Sequence, residues 1–218
     1  VSFSHGSNDG QKGVGLVMII LIAIVPARFA LDHTKDPSIL RSETIELQAM
    51  VSPLDTMGLA PDEKAELVNI KLYIDSITVR YAGIASFEDV SKKTQINTRK
   101  DILILSKKSE RLFSQLVTRP AGPINAAWLD NYRKHLQEIK NYTEYSPWWV
   151  IFMISIALGL GTMIGWKRIV VTLGEKIGKT NLTYAQGVTA NLIAASTISA
   201  SSMFGLPVST THVLSSGI

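Results

Sequence analysis

The stretch Ser4-His5-Gly6-Ser7-Asn8-Asp9-Gly10-Gln11-Lys12-Gly13 is followed at once by the apolar run Val14 to Ala27. A glycine-broken polar cluster therefore leads straight into a segment of membrane grade. Charged side chains such as Asp9 and Lys12 are costly near hydrocarbon and normally face a bundle interior or a wet cavity. Irregular backbone survives at membrane depth only where protein or trapped water satisfies its polar groups. The juxtaposition points to an ion or solute site; the plainer reading is a cytosolic loop just ahead of a helix. The run from Gly13 to Ala27 has 15 residues. As a helix it reaches roughly 22 Å, short of the ~30 Å hydrocarbon core. It crosses only if residues before it also lie at membrane depth, which favours a place for Asn8 and Asp9 inside the protein. Pro26 and Arg28 mark its far end.

Charge is placed unevenly. Leu31 to Pro147 holds 16 Lys+Arg and 16 Asp+Glu, most of the 22 basic and 18 acidic residues of the 218-residue chain, and the flanks are almost free of charge. That is the composition of membrane spans around one water-soluble insert, and it excludes a single soluble globule. The net charge of +4 forms no long basic block, so no nucleic-acid partner is expected. Cysteine is absent, so the insert has no disulfides and the redox compartment stays open. The chain starts without Met and stops at Ile218 inside an apolar stretch, and reads as an internal fragment of a longer protein. No cleavable signal pattern surrounds the first apolar run.

Two further segments have membrane character. Trp148 to Trp166 is uncharged over 19 residues, about 28 Å as a helix, with Trp148, Trp149 and Trp166 at its ends where interfacial aromatics belong. Gly161 and Gly165 make a small-xxx-small pair suited to close helix contact. Beyond Lys179 no Asp, Glu, Lys or Arg appears, and Ala185 to Ile218 holds 11 Ser+Thr in 34 residues, broken by Gly205 and Pro207. Short apolar pieces interrupted by Gly and Pro point to discontinuous helices or re-entrant hairpins in transporters. The alternative is small-residue packing of an ordinary buried helix.

The insert reads as helices. Pro61-Asp62-Glu63 opens one that continues to about Tyr81, with Leu67, Ile70, Ile74 and Ile77 as its apolar stripe. Ser86-x-x-Asp89 resembles a capping box that starts a long helix to about Thr118, with Ile102, Leu105, Leu112 and Leu116 as core. A third helix runs from Ala126 to about Tyr142, and a weaker one from Ser38 to about Val51. No phosphate loop, metal spacing or nucleophile elbow occurs here. His33 and His135 are isolated and read as structural or solvated. Lys167 to Tyr184 carries Lys167, Arg168, Lys176 and Lys179 against Glu175. By the positive-inside rule this short loop is cytoplasmic and the insert lies outside.

Together, Ser4 to Gly13 and Pro207-Val208-Ser209-Thr210-Thr211-His212-Val213-Leu214-Ser215-Ser216 resemble the bacterial low-affinity inorganic phosphate transporters of the PiT family. Gly159 to Trp166 and Gly174-Glu175-Lys176-Ile177-Gly178 fit as well, so the resemblance covers nearly everything outside the insert. It implies an all-α, polytopic inner-membrane protein with a discontinuous helix, a re-entrant hairpin and an extracytosolic helical insert. The family has two inverted repeats, and this chain looks like most of the second. The missing first repeat would be its main partner, with the lipid bilayer and a homodimer also compatible. Sodium-coupled members continue the Asn-Asp motif with Val-Ala-Asn. Gly10-Gln11-Lys12 here matches the branch described as proton-coupled and able to carry phosphate as a neutral complex with a divalent metal.

The implied organisation is a broken transmembrane helix with the Asn-Asp motif over 1–30 and the insert over 31–147. A transmembrane helix over 148–166 and a cytoplasmic loop over 167–184 follow, and a hairpin or transmembrane segment with the Ser-Thr-Thr-His motif covers 185–218. Phosphate needs donors that replace its hydration shell. Ser209, Thr210 and Thr211, with N–H groups after Pro207 and the side chain of Asn8, would supply them. Asp9 and Asn8 would hold a coupling cation, H+ or Na+, or Asp9 would take a proton. Lys12 pairs with Asp9 or with the anion, or snorkels to the interface. His212 is a polar core residue or a proton relay. No resident cofactor and no catalytic residues are implied. The competing architecture is a two-span receptor with an extracytosolic helical sensor. It should continue into a charged heptad helix, whereas this chain re-enters an apolar, hydroxyl-rich segment. A membrane hydrolase lacks a recognisable nucleophile arrangement.

Overall fold

The polar cluster does not break the first helix. The computed structural model describes residues 2–119, 122–172, 183–206 and 208–216, and in it α1 runs without interruption from Ser2 to Ile24. Positive φ occurs at Gly58, Gly83 and Gly205 among the described residues. Gly6, Gly10 and Gly13 thus keep helical backbone, at a cost of about 1 kcal/mol each relative to alanine. Within 1–30 the helix is interrupted at Val25, with φ −128° and ψ 63°. Pro26 follows it and disfavours the helical region for the residue ahead. Pro26 then opens the short α2, Pro26–Phe29.

The chain divides into two compact units, one of Val1–Ile20 with Ser146–Ile218 and one of Leu21–Tyr145. All described regular elements are helical.

The second unit contains α3 (Pro37–Val51), α4 (Pro61–Arg80), a 3-10 turn (Phe87–Asp89), α5 (Lys92–Leu116) and α6 (Ala126–Lys140). Contacts α3–α4, α4–α5, α5–α6 and α6–α3 close a ring of four helices, and α2 lies against α5. The stripes expected on α4 and α5 form the core: Leu67, Ile70, Ile74, Ile77, Ile102, Leu105, Leu112 and Leu116 are all buried. Phe113 and Trp128 meet edge to face at 5.0 Å and Trp128 stacks on Tyr132 at 5.2 Å. The Tyr132 hydroxyl shares a 2.7 Å hydrogen bond with Ser109, and burial pushes its pKa well up.

The cap of α5 differs from expectation. Ser86 accepts from Glu88 N–H and closes only the 3-10 turn. Ser91 caps α5 itself by accepting from Thr94 N–H at 3.2 Å. Extended Val90 separates the two, because its side chain enters the core. His33 pairs with Gln95 at 3.0 Å and stacks on Phe87, and His135 Nδ1 lies 2.7 Å from Glu43 Oε2.

The two ends of this unit are tied together. Arg99 donates to the carbonyls of Ala30 at 3.1 Å and Thr143 at 2.7 Å. Asp32 N–H donates to Tyr142 O at 2.9 Å, the Tyr142 hydroxyl to Asp36 O at 2.7 Å and the Tyr145 hydroxyl to Arg28 O at 3.2 Å. Burial lowers the Arg99 pKa and pushes those of Tyr142 and Tyr145 up to about 12.

At the start of α4, Glu63 does half the work of a capping box. Its carboxylate accepts the Ala60 N–H at 2.9 Å, although Ala60 has no side-chain acceptor to return the bond, and it also pairs with Arg119. The Ala60 bond, and then Arg119, hold the Glu63 pKa below its ordinary value. A depressed carboxylate stabilises the fold above the unfolded value of about 4.3 and loses that contribution as pH falls through the folded value. Hydrogen exchange on the solubilised full-length protein, corrected for intrinsic rates, is expected to show protection of residues 61–66 dropping below about pH 4. Glu63→Gln should remove that pH dependence; an unchanged acid response in the variant assigns it elsewhere.

In the first unit, α7 spans Trp148–Val171 and so runs on through Lys167 instead of stopping at Trp166. Among the described residues it is the helix long and apolar enough to cross a membrane, over Trp148–Lys167. Asn8, Asp9, Gln11 and Lys12 dilute α1, and hydroxyls dilute the next helix. That helix, α8, covers Tyr184–Met203 and opens on a reciprocal capping box. Gln186 N–H donates to Thr183 Oγ1, and Thr183 N–H donates to Gln186 Oε1. Gly205, at φ 66°, reverses the chain. The short α9, Thr210–Ser215, then packs on α8. Glu175, Lys176, Lys179 and the Gly174–Gly178 motif lie outside the described residues, as does Pro207.

Candidate functional site

Ser4, Asn8 and Lys12 recur every four residues and so form one stripe of α1. The unbroken helix gives the Asn-Asp motif this regular presentation. The stripe meets the end of α8 and the segment after it in ascending order. Ser4 Oγ lies 2.9 Å from Ser199 Oγ, and Asn8 Nδ2 donates to Ser202 Oγ at 3.3 Å. Lys12 Nζ donates to the backbone carbonyl of Val208. It also donates to Asp9 Oδ1 at 3.2 Å, one turn back on the same helix.

Asn8 is only 1% exposed, and its Oδ1 has no hydrogen-bond partner among the described residues. A buried acceptor left unmatched costs about 1–3 kcal/mol. Such an atom is suited to a cation or to a protonated solute oxygen. Asp9 and Lys12 are more open, with side chains 27% and 39% exposed.

On the other side, Ser209 precedes α9 and accepts the His212 N–H at 3.4 Å, so its hydroxyl is partly engaged in capping. Thr210 is buried, whereas His212 is exposed. The side chain of Thr211 lies outside the described residues. Lys12 thus links the two motifs among the described residues, since its ammonium touches Asp9 and the backbone of Val208, next to Ser209.

Ser199 and Ser202 escaped the sequence reading. Their signal is the stripe Ala190, Ala194 and Ile198, the buried face of α8, which the two serines flank at its end.

Among the described residues, close helix contact occurs at Gly13. A Cβ on Gly13 would sit 2.9 Å from Ile154 Cγ2 of α7, whereas one on Gly161 or Gly165 would meet nothing within 4 Å among the described residues. Gly13→Val is expected to lower the stability of the solubilised full-length protein by about 1–3 kcal/mol through overpacking. Gly15→Ala, which has open space around it, serves as the control. Equal melting temperatures for the two variants would remove Gly13 from the packing account.

Helices throughout the described residues, with a polar seam between them, are the class these features describe. The chain belongs to the phosphate transporter family, whose profile matches residues 1–218. That family is one of transporters, not enzymes, and membership makes this a membrane protein. The chain is 34% identical over its whole length to the low-affinity inorganic phosphate transporter of Buchnera aphidicola subsp. Acyrthosiphon pisum, covering 46% of that protein. Against the Escherichia coli low-affinity inorganic phosphate transporters PitB and PitA it is also 34% identical over its whole length, covering 47% of each. The chain thus spans about half the length of these curated relatives. No solved structure matches it.

Proposed function

We propose that this protein, in its full length, is a secondary transporter of inorganic phosphate in the cytoplasmic membrane, driven by a coupled cation. The proton is the favoured cation, and phosphate travels free or as a neutral complex with a divalent metal. Asn8 carries this reading, as a buried amide oxygen without a partner among the described residues, beside Asp9. The relatives' names supply the solute.

In this reading Asn8 and the hydroxyls of Ser209, Thr210 and Thr211 replace the hydration shell of phosphate. Hydroxyls carry no charge, so binding stays reversible. Asp9 takes the proton or cation, with Asn8, Lys12 and His212 completing the coupling group. A first repeat contributes the rest of the site, and two copies assemble as a homodimer. The insert over 31–147 is extracytosolic, 167–184 is cytoplasmic, and 185–218 forms a re-entrant hairpin. The two-span receptor has no observation in its favour, since α8 follows α7 where a charged heptad helix belongs.

The functional test is uptake of labelled phosphate into proteoliposomes containing the full-length protein. Uptake no higher than in empty vesicles rejects the reading. Topology has its own test. Single cysteines at exposed Asn97 of α5 and exposed Tyr184 of α8 are expected to react oppositely with an impermeant thiol reagent added to intact cells, Asn97→Cys labelling and Tyr184→Cys not. The reverse pattern inverts the orientation.

A further inference from the structure

We infer that Lys12 is a tethered cation, an ammonium that occupies the place and supplies the charge a coupled sodium ion would otherwise provide. This rests on the transport reading above and names which ion that site refuses. Hard monovalent cations in membrane proteins are held by carboxylates together with backbone carbonyls freed at helix breaks. Both kinds of oxygen converge on one point here. Asp9 offers Oδ1 from α1. Val208 offers its carbonyl from outside both α8, which ends at Met203, and α9, which begins at Thr210.

The atom lying between these oxygens is Lys12 Nζ. It carries one positive charge, as sodium does, and it presents donors where sodium would present an empty coordination sphere. The difference is that the ammonium is covalently attached through its four-carbon stem. A bound sodium ion leaves with the solute at each cycle, whereas a tethered ammonium cannot cross. The Asp9–Lys12 pair is also neutral in sum, so a sodium ion entering beside it finds no uncompensated carboxylate. The lysine thereby selects against sodium by filling the place between the two oxygens and compensating the carboxylate.

The experiment measures uptake of labelled phosphate into proteoliposomes containing the full-length protein, in sodium medium and in choline medium. The unmodified protein is expected to show a sodium-to-choline ratio near one. Lys12→Ala vacates the place between Asp9 and Val208 and should make uptake sodium-stimulated by at least about tenfold, the weight of one charge-assisted contact. Lys12→Arg keeps the charge and should keep the ratio near one. Binding of radiolabelled sodium to the purified proteins is the second readout. Lys12→Ala should bind sodium that the unmodified protein does not, and Asp9→Asn added to it should abolish that binding. Lys12→Gln, uncharged and of similar length, replaces Lys12→Ala in both assays if the alanine variant fails to reach the membrane.

Sodium stimulation of the unmodified protein overturns the inference. So does sodium-indifferent uptake by the alanine variant, or an inactive variant that binds no sodium. If the unmodified protein takes up no phosphate at all, the transport reading fails on its own, and sodium binding still decides what Lys12 does.

Discussion

Asp9→Asn is expected to reduce phosphate uptake by the full-length protein by about 100-fold or more, equivalent to roughly 2.7 kcal/mol, without lowering its abundance in the membrane. The substitution keeps the size of the side chain and removes a carboxylate that a proton or cation can neutralise. It also leaves the Lys12 ammonium with the Val208 carbonyl but, among the described residues, no carboxylate. A transporter loses rate when the group that changes charge during the cycle is fixed in one state. The measurement is initial uptake across pH, with and without magnesium. The loss should persist at every pH, because no titration restores a carboxylate to an amide. Uptake equal to the parent at sub-saturating phosphate makes Asp9 scaffold.

Thr210→Val is the second large effect. Thr210 is 5% exposed at the first turn of α9, so valine fits its volume while the hydroxyl disappears. A hydrogen bond to a charged ligand contributes about 1.5–3 kcal/mol, which is about 10- to 150-fold in phosphate affinity. The expected signature is a raised half-saturation concentration with little change in the rate at saturation, since the interaction serves binding rather than coupling. Asp9→Asn should show the opposite split. If Thr210→Val lowers the saturated rate and leaves the half-saturation concentration alone, the hydroxyl belongs to the moving parts and not to the phosphate contacts.

Much of the four-helix unit was legible because its helices obey local rules. On α4 the spacing of Leu67, Ile70, Ile74 and Ile77 selects one buried face, and Pro61 marks the first turn. The start of α5 was misplaced because Ser86 and Ser91 carry equal capping chemistry. What separates them is Val90, held extended with its side chain in the core, and that is a tertiary fact. Where the first segment is interrupted has a related explanation. Three glycines look like a break in a list of residues, but glycine tolerates helical backbone, and only Pro26 denies its predecessor that conformation.

The candidate site was legible as two polar clusters, Asn8-Asp9 and Ser209-Thr210-Thr211, but not as one object. Ser4, Asn8 and Lys12 share a face by helical period, which sequence can supply. That this face meets Ser199, Ser202 and the carbonyl of Val208 depends on how helices nearly 200 residues apart in the chain pack. Period, capping chemistry and the uneven placement of charge are local, so the sequence by itself determined an all-helical chain with membrane-grade flanks and a charged, amphipathic insert. The partner of the Lys12 ammonium, the unmatched oxygen of Asn8 and the close approach at Gly13 are relations between distant segments. No local pattern encodes them, and only tertiary packing decided them.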